Sequence, residues 1–156
     1  MRLLLSLCLV LASPAVGQTP REALFPSDAS CYLRYYNAEH MAKHPAQTVE
    51  LIQIGPDQTQ WESDVLVLKI GLDLRRGPGH MLGYAYCEPA GKGLACLMEG
   101  DAGSFQLTPA RDGAIRIDIG PDGVSFEGDS GFVTLEGNSG DDRSFVMPPV
   151  PADACP

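Results

Sequence analysis

Apolar and polar side chains alternate along much of this chain, and this period of two most constrains its fold. Between residues 65 and 74 every second position is leucine or isoleucine, while Lys69 and Asp73 stand between them. Ile115, Ile117 and Ile119 alternate with other residues in the same way. Successive side chains of a β-strand point to opposite faces, so each run predicts a strand with one buried face.

Tight-turn sequences separate these runs. Asp-Gly occurs at 112–113 and 122–123, and Gly-Asp-Ser-Gly occupies 128–131. Glycine accepts positive φ without steric cost and aspartate hydrogen-bonds to its own backbone, so we expect hairpins here. No long helix is available for parallel crossovers. The chain therefore predicts an all-β fold of eight or nine antiparallel strands, either a barrel or a two-sheet sandwich.

One short helix is expected near the N-terminus. Asn37 can cap a helix over residues 38–43, and Pro45 ends it. Residues 18–29 are largely polar, contain prolines and predict a flexible lead-in. A single folded domain is therefore expected over residues 30–156, a length that suits one domain.

Residues 1–17 have the organisation of a secretory signal peptide. Arg2 supplies the basic start, residues 3–12 form an apolar run, and Ala15 and Gly17 are the small residues before a cut after Gly17. A cut after Ala15 and an uncleaved membrane anchor are the alternatives, but the apolar run is too short to span a bilayer as a helix. We predict a periplasmic or secreted protein without a transmembrane anchor.

Four cysteines remain after the signal peptide, and they predict two disulfides in an exported domain. Cys87–Cys96 is favoured because these residues flank a short turn with Pro and Gly. Cys31–Cys155 then joins the two ends of the domain. Metal binding by the four thiols is the alternative, but no Cys-x-x-Cys occurs and the spacings are wide.

The charge balance is strongly acidic. The chain has 20 acidic and 11 basic residues, a net charge of −9, and the mature chain also loses Arg2. Nucleic acids and anionic membranes require a basic face, so the composition argues against both as partners. No phosphate-binding loop or dinucleotide-binding fingerprint occurs, and no cofactor is predicted.

The three histidines are candidate zinc ligands. His40 and His44 lie four residues apart, as on one face of a helix, and His80 is the third candidate. The catalytic zinc motif requires Glu directly after the first His, whereas Met41 follows His40. The alternative is a pair of surface histidines on a short helix.

Four acidic residues near the C-terminus are candidates for calcium binding. Glu127 and Asp129 lie at the turn over residues 128–131, and Asp141 and Asp142 end a Gly-rich segment over 137–142. Calcium prefers several oxygen ligands, which such loops can supply. The segment matches no full calcium consensus, and solvated turns are the alternative.

The Gly-Asp-Ser-Gly turn also matches the nucleophile motif of chymotrypsin-like serine proteases. Those enzymes need a general base, a third orienting group and two barrels, whereas this chain is long enough for one. Phe132 stands where that family usually has a second glycine. We interpret the motif as a hairpin turn.

Two segments of the chain echo each other. Residues 52–64 and 117–129 both begin Ile-x-Ile-Gly-Pro-Asp, and Trp61 matches Phe126. One interpretation is a duplicated half-barrel in which each segment is a strand, a turn and a returning strand. The other is that two hairpins share the same turn chemistry.

Three segments carry a resemblance to known proteins: 31–36 (Cys-Tyr-Leu-Arg-Tyr-Tyr), 96–105 (Cys-Leu-Met-Glu-Gly-Asp-Ala-Gly-Ser-Phe) and 141–145 (Asp-Asp-Arg-Ser-Phe). With His40 and His44-Pro45, they make the chain similar to a group of small exported proteobacterial proteins over most of the mature domain. The resemblance implies export and a shared architecture, and it carries over no activity.

We therefore predict an exported binding or interaction module whose partner is a small ligand or an envelope protein. The alternative is a small hydrolase that uses Glu127 and Asp129, or a metal-dependent enzyme with zinc on the histidines. An internal cavity would favour a small ligand, and an interior filled by side chains would favour a protein partner.

Overall fold

The computed structural model describes residues 17–77, 79–129 and 131–155, within which nine β-strands and two short α-helices occur. The predicted all-β class is confirmed, and the helix predicted over residues 38–43 forms, capped by Asn37. The strands are β1 (Tyr32–Tyr35), β2 (Val49–Pro56), β3 (Leu66–Leu74), β4 (His80–Ala90), β5 (Gly93–Met98), β6 (Gly103–Pro109), β7 (Ile115–Gly128), β8 (Gly131–Leu135) and β9 (Ser144–Met147), and the helices are α1 (Pro20–Leu24) and α2 (Ala38–Lys43).

The strands form one antiparallel sheet in which β1 to β8 follow each other in chain order. β9 pairs with β7, and β4 also meets β7 where Leu82 lies opposite Glu127. The segment after β9 returns to β1, where the Val150 N–H donates to the Cys31 carbonyl at 2.9 Å and Tyr32 forms a bridge with Pro149. The last segment of the chain therefore covers the edge of the first strand.

Strand β7 serves two partners along its length. Its first half pairs with β9, and its second half pairs with β8. Between the two halves its pairing with β6 jumps from Ile119, opposite Phe105, to Val124, opposite Gly103. Residues 120–123 thus form a large bulge against Ser104, with Gly123 at a φ of +78° that favours glycine.

This bulge corrects two expectations. The turn predicted at residues 121–123 does not reverse the chain, because the strand continues through it. The echoing segment 52–64 instead leaves β2 after Pro56 and enters a 3-10 helix, so Trp61 lies in a connection while Phe126 is buried within β7. The two segments have different backbones, so they are not a duplicated half-barrel. They are not two hairpins with a shared turn either, because residues 117–128 form one continuous strand.

The lead-in over residues 18–29 contains a packed helix rather than only a flexible chain. Thr19 caps α1 in a capping box with Glu22, and Leu24 and Phe25 are buried after it. The Tyr32 hydroxyl donates to the Leu24 carbonyl, and α1 contacts β4, β5 and β6. Two apolar side chains behind a capped turn explain why this segment is ordered.

The core lies on the inward faces of the strands. The inward face predicted over residues 65–74 is confirmed at its centre, because Leu68, Ile70 and Leu72 are each at most 1% exposed. Full burial of a side chain of this size stabilises the fold by about 1.5–3 kcal/mol. The prediction of a single buried face is wrong at both ends of the strand, because Val67 on the opposite face is also buried and Leu74 is only half-buried. Among the described helices, none is long and apolar enough to cross a bilayer.

Both predicted disulfides are confirmed. Cys31–Cys155 joins the residue before β1 to the C-terminal segment, and Cys87–Cys96 links residues that lie opposite each other in β4 and β5. Disulfides persist where the environment is oxidising, so the pair indicates an extracellular or comparable compartment. The predicted signal peptide over residues 1–17 lies outside the described residues except for Gly17.

Candidate functional site

Two of the three histidines meet at α2. The rings of His40 and His44 stack with their centroids 4.3 Å apart. His40 Nε2 lies 2.9 Å from the Gln47 side-chain oxygen, and His44 Nδ1 lies 3.8 Å from the Asp141 carboxylate. These contacts make a stacked pair of half-exposed rings against the loop that precedes β9.

His80 lies elsewhere, at the start of β4. Its Nδ1 is 2.8 Å from the carboxylate of Asp73 on the neighbouring strand β3. Within residues 17–77, 79–129 and 131–155, no group of three or more His, Cys, Asp or Glu side chains is placed to hold a metal ion. The structure therefore does not bring the three candidate zinc ligands together.

The four acidic candidates are also divided between two places. Asp142 is buried and accepts hydrogen bonds from the backbone N–H groups of Thr48 and Val49 at 2.7 and 3.2 Å, and from the Thr48 hydroxyl at 2.6 Å. It ties the loop before β9 to the start of β2, with Asp141 beside it at His44. Glu127 and Asp129 lie apart from this pair, at the β7–β8 hairpin.

An open groove of about 1050 Å³ lies between β4, the residues after β5 and the β7–β8 hairpin. Its floor contains Met98 and Phe126, both buried. Gly83 makes this packing possible, because a Cβ at that position would lie 2.5 Å from Met98 Cε and 3.0 Å from Phe126 Cδ1. The groove thus has an apolar floor that a larger residue at position 83 would displace.

The rim of the groove is acidic. Glu99, Glu127 and Asp129 line it, and its described lining contains no lysine or arginine. Glu127 and Asp129 are both exposed to solvent. Three carboxylates around an apolar floor create a local field that attracts a cationic group.

An apolar stripe crosses the outer surface of the sheet beside the groove. Leu97 on β5 lies opposite Tyr86 on β4, and these side chains are 66% and 42% exposed. Farther along, Leu82 on β4 lies opposite Glu127, which in turn lies opposite Phe132 on β8. Phe132 is 79% exposed. We call the exposed faces of Leu97, Tyr86, Leu82 and Phe132 the outer stripe.

The interior of the sheet is filled by side chains. The inward residues at the centre of β2, β3 and β4 are each at most 1% exposed and belong to one packed cluster: Ile52, Ile54, Leu68, Ile70 and Met81.

Sequence reasoning missed the groove and the outer stripe, although it singled out two rim residues, Glu127 and Asp129. Phe132 was noted only as a departure from a protease motif, and Ser130 of that motif lies outside the described residues. The period of two could have identified Phe132. Val133 and Leu135 share the inward face of this strand, so Phe132 must point to the outward face, where a large apolar side chain is unusual. Neither a protein-family model, nor a curated protein, nor a solved structure matches this chain.

Proposed function

We propose that the protein is an exported binding module, periplasmic or secreted, that holds a basic, partly apolar segment of a protein partner in its acidic groove. Export is supported by the predicted signal peptide over residues 1–17 and by the two disulfides, which suit an oxidising compartment. The resemblance to small exported proteobacterial proteins supports the same location.

We also propose that the sheet is a closed barrel rather than a two-sheet sandwich. Neighbouring strands pair from β1 to β7, β7 pairs with β9, and the segment after β9 forms a bridge and backbone hydrogen bonds with β1. This continuous circuit supports closure, because each step of it is an antiparallel contact. A closed sheet provides a rigid surface on which the groove and the outer stripe are held.

The observation that carries the functional proposal is the combination of apolar floor and acidic rim in one groove. The apolar faces of half-buried Leu82 and exposed Phe132, which line the groove beside this floor, favour burial against a partner, at about 25 cal/mol per Å² of apolar area removed from water. The carboxylates of Glu99, Glu127 and Asp129 select a partner that carries lysine or arginine. The net charge of −9 strengthens this selection by attracting basic partners over a longer range.

A peptide-binding experiment tests the proposal. The probe is a fluorescent peptide, Lys-Val-Thr-Val-Thr-Val-Lys, and its comparison peptide has Glu at both ends. We expect the Lys-ended peptide to bind about tenfold more tightly or better by fluorescence anisotropy, with an affinity that falls as salt is raised.

Charge variants of the protein show whether the groove is responsible. Glu127→Gln/Asp129→Asn should weaken binding of the Lys-ended peptide several-fold. The matched control, Asp112→Asn/Asp153→Asn, removes the same charge from positions outside the groove and should change affinity much less. Equal binding of both peptides, or equal effects of the two double variants, would refute the proposed function.

A further inference from the structure

We propose that β8 binds the partner segment as an additional β-strand along its open edge, where Asp129 and Phe132 also line the groove, so that recognition proceeds through backbone hydrogen bonds and through these shared residues. This inference rests on the proposed function and gives its mode of binding. Addition of a strand to a sheet edge supplies affinity from main-chain hydrogen bonds and specificity from alternate side chains.

The first observation is that β8 is an edge strand. It stands at the end of the pairing order and, among the described strands, pairs with β7 alone. Strand β1, at the other end of the sheet, is not open in this way, because residues 148–150 cover its edge. The Leu33 N–H donates to the Pro148 carbonyl at 3.2 Å, and Tyr32 forms a bridge with Pro149.

The second observation is the direction of the backbone groups of β8. Ser125 lies opposite Thr134, yet the Ser125 N–H donates to the Ala102 carbonyl at 2.8 Å, away from β8. Ser125 and Thr134 are therefore a non-hydrogen-bonded pair, in which the backbone groups of both residues point away from each other. By the period of two, the N–H and C=O groups of Phe132 and Thr134 point to the open edge.

The third observation is that this edge lacks the usual protection. Proteins commonly protect an edge strand with a charged side chain, a proline or a bulge. Strand β8 reads Gly-Phe-Val-Thr-Leu and contains no charge and no proline, and its pairing with β7 is regular along its length. Phe132 and Thr134 are exposed on it.

The charges that flank β8 decide between a second copy and a different partner. Asp129 precedes the strand and Glu136 follows it, and both are exposed. If β8 of a second copy paired with it in the antiparallel sense, Asp129 would approach Glu136 of that copy at both ends, and like charges would repel. An extended segment with lysine or arginine at each end and apolar residues between them meets the same positions with opposite charge.

Backbone methylation of the probe tests the mode of binding. The Lys-ended peptide is prepared in two forms, one N-methylated at residues three and five and the other at residues two, four and six. One alternate set of N–H groups faces β8 in an added strand and the other faces solvent. We expect one form to lose about tenfold or more in affinity and the other to change far less, since each form loses its backbone hydrogen bonds to β8 only if its methylated N–H groups face that strand.

A variant of the edge gives the complementary result from the side of the protein. Thr134→Pro removes an N–H that does not bond to β7, and the matched control Thr134→Val retains that N–H while it loses the hydroxyl bond to Ser125. We expect Thr134→Pro to weaken peptide binding about tenfold and Thr134→Val to change it about twofold or less. Circular dichroism and urea unfolding of both variants report whether the fold is retained.

The outcomes separate the two proposals. If the Lys-ended peptide binds and both methylated forms bind equally well, the added strand is refuted and the acidic groove stands. If the Lys-ended peptide does not bind, the proposed function fails and this inference fails with it. If Thr134→Pro unfolds the protein, the methylated peptides alone decide, because they are measured on the unaltered chain.

Discussion

The two disulfides should contribute unequally to stability, and their positions predict the difference. Cys31–Cys155 closes a loop of 124 residues, whereas Cys87–Cys96 closes one of 9. The loop-entropy relation gives a loss of about 4.9 kcal/mol for the first and about 2.6 kcal/mol for the second. The longer bridge restricts the unfolded chain more, because without it the two ends of the domain are free to separate.

The variants Cys31→Ala/Cys155→Ala and Cys87→Ala/Cys96→Ala measure this difference directly. The free energy of unfolding comes from urea titrations without reductant, followed by circular dichroism, with the unaltered protein as reference. We expect the first variant to be about 2 kcal/mol less stable than the second. If removal of Cys87–Cys96 costs as much or more, the loop-entropy reasoning is refuted and local packing around β4 and β5 dominates.

Two further predictions concern buried polar groups. Asp142→Ala should lower the free energy of unfolding by about 3 kcal/mol in a urea titration, because it leaves the buried Val49 N–H without its acceptor. The control is the exposed neighbour: Asp141→Ala should lower it by about 0.5 kcal/mol or less. Burial raises the pKa of Tyr32 and Tyr36 above the ordinary value of 10, so the folded state favours their neutral forms. The stability that the neutral forms contribute is fully present below pH 10 and is lost as the pH rises through the raised pKa values of the folded state. Urea titrations above pH 10 should show this loss of stability. If Tyr32→Phe/Tyr36→Phe loses stability with pH as steeply as the unaltered protein, the prediction is contradicted.

Local signals account for what the sequence predicted well. The Asn37 cap and the residues up to Lys43 determine α2, because an N-cap hydrogen bond and a single helical turn involve only neighbours. The alternation over 65–74 determines a strand and its inward residues, since the period of two is a property of the strand itself, whereas the burial of Val67 on the opposite face depends on neighbouring segments.

The first missed element was also local. Thr19 and Glu22 form a capping box that is readable in the sequence, and Leu24 follows it. The segment was predicted to be flexible because its composition is polar, while its order depends on two buried side chains that need the sheet as a surface. The composition of a segment does not show whether its apolar side chains are buried against distant strands.

At the bulge in β7, a turn was predicted from local chemistry and the tertiary structure overrode it. Gly-Pro-Asp-Gly at 120–123 has the chemistry of a hairpin turn, and the same local preferences also suit a bulge. Which one forms depends on the strands beside it. Here β9 pairs with one half of β7 and β8 with the other, so the backbone bends to change partners instead of reversing.

The sequence by itself determined the class of the fold, the inward residues at the centre of β3 and the Cys87–Cys96 pairing, because period, turn chemistry and a short cysteine spacing are local properties of the chain. The Cys31–Cys155 pairing followed because only two cysteines then remained. Only the tertiary structure decided which residues meet across the sheet. Glu99 lines the same groove as Glu127 and Asp129 because β4 pairs with β7, although β5 and β6 lie between them in the chain. Phe132 lines it too because β8 pairs with the second half of β7. Contacts between residues far apart in the chain depend on how the strands pair, and that pairing is a property of the whole sheet.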